Sequence, residues 1–115
     1  MKHLELGNWG ERLACKELQK SGFKLLFKNW RWEKAEVDII AYHKRLLIIV
    51  EVKTRSTDQY GSPAEAVSRQ KEEKLRQAAL AFLEYYDLDL ELRFDILSII
   101  GNPNSYNIEH IEEAF

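Results

Sequence analysis

A chain of 115 residues has room for one domain and one core, and 45% apolar with 31% charged residues is the balance of an ordinary globular protein. Seventeen Lys and Arg against nineteen Asp and Glu leave a net charge of -2, which leans against a broadly basic nucleic-acid binder but leaves room for a local basic face. One cysteine, Cys15, excludes an internal disulfide framework and fits a reducing compartment. With no apolar leader over 1–6 and no aliphatic run longer than Leu46–Val50, the expectation is a cytoplasmic protein with no membrane partner.

Leu6, Trp9, Gly10, Leu13, Ala14 and Leu18 recur at helical spacing, predicting a helix over 6–20 that Ser21-Gly22 ends with a left-handed cap. Aromatic-rich Phe23–Trp32 reads as a strand, with Arg31-Trp32-Glu33-Lys34 turning the chain. Two β-branched runs, Glu36–Tyr42 and Leu46–Lys53, flank His43-Lys44-Arg45 and predict a hairpin. After a polar loop over 54–61, Ser62-Pro63-Ala64-Glu65 combines an N-cap serine, a first-turn proline and a glutamate three residues after the cap. The predicted helix runs to Tyr85 or Tyr86, its stripe being Ala66 or Val67, then Leu75, Ala78, Ala79, Phe82 and Leu83. Leu88–Ile100 returns to a strand pattern, Gly101-Asn102-Pro103-Asn104 turns, and Tyr106–Ile111 forms a last edge strand. No linker or repeat interrupts this order. One domain over 1–115 is expected, of α/β (α+β mixed) class: a central mixed sheet flanked by helices, α-β-β-β-α-β-(β).

The chemistry concentrates in the hairpin. Alternation along a strand puts Glu36 and Asp38 on one face of the first run, and Glu51 and Lys53 on one face of the second. In register, three carboxylates and one ammonium then crowd the end of the sheet, and carboxylates so crowded need a countercharge to stay ionised. Oxygen ligands favour Mg²⁺ or Mn²⁺ over zinc, and His3, His43 and His110 show no zinc-ligand spacing with one another or with Cys15. A Glu-x-Lys triplet alone is a common chance pattern. Asp38 between Val37 and Ile39, and Glu51 after Ile48-Ile49-Val50, are stronger signals because both interrupt apolar strands. Glu11, early in the first helix, reads on periodicity as an acid complementing the helix dipole.

Five segments in order, Gly7-Asn8-Trp9-Gly10-Glu11-Arg12-Leu13-Ala14, Asn29-Trp30-Arg31, Glu36-Val37-Asp38-Ile39-Ile40-Ala41, Val50-Glu51-Val52-Lys53-Thr54-Arg55 and Arg93-Phe94-Asp95-Ile96, together resemble the small bacterial YraN family. That family is regarded as a group of predicted endonucleases of the PD-(D/E)xK, restriction-endonuclease-like superfamily, similar to archaeal Holliday junction resolvases. The resemblance implies that Asp38 and Glu51 ligate a metal, Mg²⁺ or Mn²⁺, and that Lys53 orients or activates water. It promotes Glu11 to an outer ligand or partner of a metal-bound water, and leaves Glu36 as a supporting acid. Val37 stands where the superfamily has proline, and Ala35 where a glycine is common.

Of the basic residues around the second helix, Arg55, Lys71 and Arg69 are the expected DNA contacts, while Lys74 and Arg76 read as a solvated face paired to Glu72 and Glu73. Trp9 and Cys15 read as packing residues. The expectation is therefore a metal-dependent DNA endonuclease acting on branched or structured DNA. A two-fold dimer fits, since cutting both strands symmetrically needs two sites. The alternatives are a non-catalytic DNA-binding or scaffold module that keeps the fold, and an unrelated interaction domain.

Overall fold

The computed structural model describes residues 2–57 and 67–115. Its elements are α1 (His3–Lys20), β1 (Lys24–Trp32), β2 (Ala35–His43), β3 (Leu46–Arg55), α2 (Arg69–Tyr85), β4 (Glu91–Asn102) and β5 (Ser105–Ile111). The expected class and order hold. Ser62–Glu65 lies outside the described residues; the helix that reaches Tyr85 starts at Arg69, where Ser68 Oγ accepts the Lys71 N–H at 3.1 Å. Thr54 and Arg55, read as loop, extend β3 because β4 offers them partners in Ile99 and Ile100. Leu88–Leu90, read as strand, precede β4, after Asp87 turns the chain at a φ of 52°.

The strands stand in the order β1-β2-β3-β4-β5, antiparallel except for the parallel β3–β4 pair, which the α2 crossover makes feasible. The β2–β3 turn sits on Lys44 and Arg45, both left-handed (φ 49° and 67°), the twist a tight hairpin needs. α2 packs on one face through Leu75, Ala78, Ala79 and Phe82, spaced at three, four and seven residues, over Val37, Ile40, Leu47, Ile49 and Phe94. α1 packs on the other through Ala14 and Leu18, over Ile39, Ala41, Ile48, Val50, Leu97 and Ile99. On this face β4 and β5 also hold a buried acid. Asp95 accepts two hydrogen bonds from Arg93 at 2.9 Å and one from the Glu113 N–H at 3.2 Å, and lies 2.7 Å from His110 Nε2.

One irregularity positions the site. Val37 and Ile40, three residues apart, both belong to the layer under α2, whereas Ile39 faces α1. A strand with a period of two cannot do this without reversing faces. Their β1 partners Trp30 and Phe27 reverse in step, since both rings lie against Phe82 of α2. Asn29 takes a left-handed φ of 53° between them. The reversal thus falls at Asn29 on β1 and at Asp38 on β2.

Candidate active site

β2 and β3 pair from His43↔Leu46 to Ile39↔Val50, and the ladder stops there. At the splay, the Val52 N–H donates instead to Asp38 Oδ2 at 2.8 Å. The aspartate therefore stands in for a strand carbonyl, which fixes its carboxylate between the two strands. Glu51 follows Val50 on β3 with only 3% of its surface exposed. Its two oxygens differ. Oε1 accepts a hydrogen bond from Lys71 Nζ at 2.6 Å and lies 3.5 Å from Lys53 Nζ. Among the described residues Oε2 is buried without a hydrogen-bond partner, a state that costs free energy unless something else binds there.

The electrostatics follow from this crowding. Burial raises the Asp38 carboxyl, the negative charge of Glu51 raises it further, and the Val52 hydrogen bond only partly opposes them, so it is pushed up to about 7. Burial lowers the Lys53 ammonium, with Lys71 adding to the effect and Glu51 opposing it. For Lys71 burial pulls the same way, but the hydrogen bond and charge of Glu51 outweigh it and the net shift is upward. Beside these groups a cleft of about 340 Å³ is lined by His3, Leu4, Gly7, Asn8 and Glu11 of α1, by Asp38, and by Val52, Lys53 and Thr54 of β3.

The model of the uncharacterised protein family UPF0102 matches residues 10–99 of the chain. A UPF0102 protein of Flavobacterium psychrophilum is 45% identical over 114 residues, covering 99% of this chain and 96% of the relative. The UPF0102 protein of Thermodesulfovibrio yellowstonii is 40% identical over 115 residues, covering 100% and 99%. The chain belongs to the UPF0102 family.

The segment matched to UPF0102 holds every candidate catalytic, metal or DNA-contact residue read from the sequence, and the fold brings five of them together: Asp38, Glu51, Lys53, Lys71 and, across the cleft, Glu11. Glu11 reaches the cleft because Gly10, buried on the preceding position, lets α1 close on β3. A Cβ at Gly10 would lie 2.8 Å from Thr54 Cβ and Cγ2 and closer still to Oγ1. Glu36 is not gathered in. It faces Arg31 in the β1–β2 register and pairs with it at 3.0 Å, so the expected trio of carboxylates at the hairpin end is not formed by Glu36. Arg55 ends β3 two residues beyond Lys53, half-buried, and Arg69 is exposed at the start of α2. Lys71, expected to face DNA from the helix surface, is instead bonded to Glu51. Its role in the cluster was hidden because the two residues are 20 positions apart and meet only across the crossover. Arg76 pairs with Glu72 at 3.5 Å, as expected, and also lies over the Phe94 ring. Trp9 packs edge-on to Tyr106, and Cys15 packs against the α1-side core.

Among the described residues no three His, Cys, Asp or Glu side chains stand together as a ready metal cage. A hard cation such as Mg²⁺ does not need one: it keeps several waters and binds through one or two carboxylates with substrate oxygens completing its shell. Asp38 and Glu51, with the partnerless Oε2 of Glu51, fit that requirement.

Proposed function

We propose that this UPF0102 member is a Mg²⁺- or Mn²⁺-dependent endonuclease of the PD-(D/E)xK type, hydrolysing backbone phosphodiesters of branched or structured DNA. The observation that carries the reading is Glu51, a carboxylate withdrawn from water with one oxygen on two lysines and the other on no partner among the described residues. A purely structural acid has no reason to keep an unpaired buried oxygen, whereas a ligand does. Asp38 and Glu51 would hold the ion, which when bound supplies a Lewis acid for a phosphate oxygen and a lowered pKa for water. Lys53, on the same strand and lining the same cleft, holds the attacking water and offsets negative charge building on the phosphate. Glu11 faces them from α1 and orients water in the cleft. The water oxygen bonds to phosphorus as the opposite P–O bond breaks; the water gives up a proton to solvent in the cleft and the leaving oxygen takes one from solvent.

The test is a panel of forked, nicked, four-way and linear DNA incubated with wild type and Asp38→Asn, with Mg²⁺, Mn²⁺ or EDTA. Cleavage that needs metal and disappears in Asp38→Asn is the expected result. Salt-sensitive DNA binding without turnover on every substrate would replace this reading with that of a non-catalytic DNA-binding module.

A further inference from the structure

Lys71, near the start of α2, links the buried Glu51 carboxylate to a second cavity. Its ammonium is on Glu51 Oε1 at 2.6 Å, far closer than that of Lys53 at 3.5 Å, so it is the main countercharge of a buried carboxylate. The same residue lines an adjoining polar cavity of about 270 Å³ with Lys34, Ser68, Lys74 and Glu36. Glu36 in that cavity is already paired with Arg31, which leaves the lysines to set its character. The Lys71 backbone is pinned by the Ser68 cap, while its side chain is 37% exposed and carries its charge on a flexible four-carbon stem.

We propose that Lys71 and the divalent ion are alternative partners of Glu51: when the ion is held by Asp38 and Glu51, the Lys71 ammonium leaves Oε1 and turns into the adjoining cavity to bind a nucleic-acid backbone phosphate. The inference rests on the endonuclease reading for its ion and its ligand. The ion would take Oε2 of Glu51, which has no partner among the described residues, so charge balance, rather than competition for Oε1, drives the exchange. Two carboxylates neutralise one divalent ion, which frees both ammoniums, Lys53 for the developing charge at the cleaved phosphate and Lys71 for a neighbouring phosphate. Metal and DNA then bind cooperatively through Lys71, and the coupling is reciprocal.

Two measurements test it on the full chain. Calorimetric titration of Mn²⁺ into the protein alone should show Lys71→Met binding the ion several-fold more tightly than wild type, with Lys71→Arg returning towards wild type. Anisotropy of a fluorescein-labelled forked DNA should show Ca²⁺ tightening the wild-type complex and leaving the Lys71→Met complex unchanged. Weakened or unaltered Mn²⁺ binding in Lys71→Met overturns the exchange, as does Ca²⁺ tightening that persists in Lys71→Met or is absent from wild type. If wild type takes up no Mn²⁺, this inference and the endonuclease reading fall together. If both signatures appear and no DNA is cut, Lys71 exchange stands and only the cleavage reading fails.

Discussion

Asp95 on β4 and Asp38 on β2 flank the same central strand, and their carboxylates are treated in opposite ways. Asp95 is fully buried and surrounded by donors: Arg93 twice, the Glu113 amide and, across 2.7 Å, His110. Burial works against its ionisation, but the hydrogen bonds of His110 and Arg93 and the charge of Arg93 outweigh it, holding the carboxyl below the ordinary carboxylate range. Asp38 has one backbone donor, a like charge in Glu51, and a carboxyl pushed up to about 7. Both acids sit in apolar strands. What separates the two is how completely each is satisfied.

The largest effect that would break this contrast is on catalysis. Asp38→Asn keeps the shape and removes the charge, and should lower metal-dependent cleavage about a thousandfold while the fold persists, as read by gel assay beside circular dichroism. Asp95→Ala should do the reverse. It leaves Arg93 without its buried partner and should cost about 3–5 kcal/mol in urea unfolding. Gly10→Ala tests the route by which Glu11 reaches the cleft. The added methyl meets Thr54 and should destabilise the protein by about 1–3 kcal/mol, with cleavage falling as α1 moves off β3.

The smallest effect sharpens the contrast through pH. The folded-state value of Asp38, about 7, lies above its ordinary 3.8, so the native state keeps the proton longer than the unfolded chain. Its contribution to stability is complete below pH 3.8 and is lost as pH rises through 7. For the metal-free protein, and allowing for partial exposure to water, that loss should be about 1–2 kcal/mol, and Asp38→Asn should abolish it. Asp95 contributes in the opposite sense. Its folded value is depressed, so its stabilisation is present above the ordinary carboxylate range and disappears as pH falls through the lower folded value. Denaturant midpoints measured from pH 3 to 9 in EDTA separate the two.

Much of this was legible in the residues. Turn chemistry around 43–45 and 101–104 marked two of the three hairpins, and the apolar interruptions at Asp38 and Glu51 marked two acids that the fold brings close. Other features depend on groups that meet only in the folded chain. The face reversal at Asn29 and Asp38 involves two strands at once, and neither strand betrays it alone. Periodicity read Glu11 as a dipole partner; the signal that places it in the cleft is the adjacent Gly10, a residue poor for helices that allows close packing. Glu36 was misplaced because alternation predicts a shared face, whereas Arg31 directly across the ladder captures it.

The parallel pairing of β3 with β4 also bears on how the molecule assembles. It joins Leu46 to Glu91, the kind of distant contact whose loop must close before it gains anything, while β1, β2 and β3 are linked by tight turns. Asp38, Glu51 and Lys53 are thus all carried by the meander of low sequence separation, which predicts that they meet early on the folding path. Lys71 arrives with the crossover. For that interval the two acids lack their main neutralising base, and a divalent ion in the folding buffer should speed the refolding of wild type more than that of Asp38→Asn.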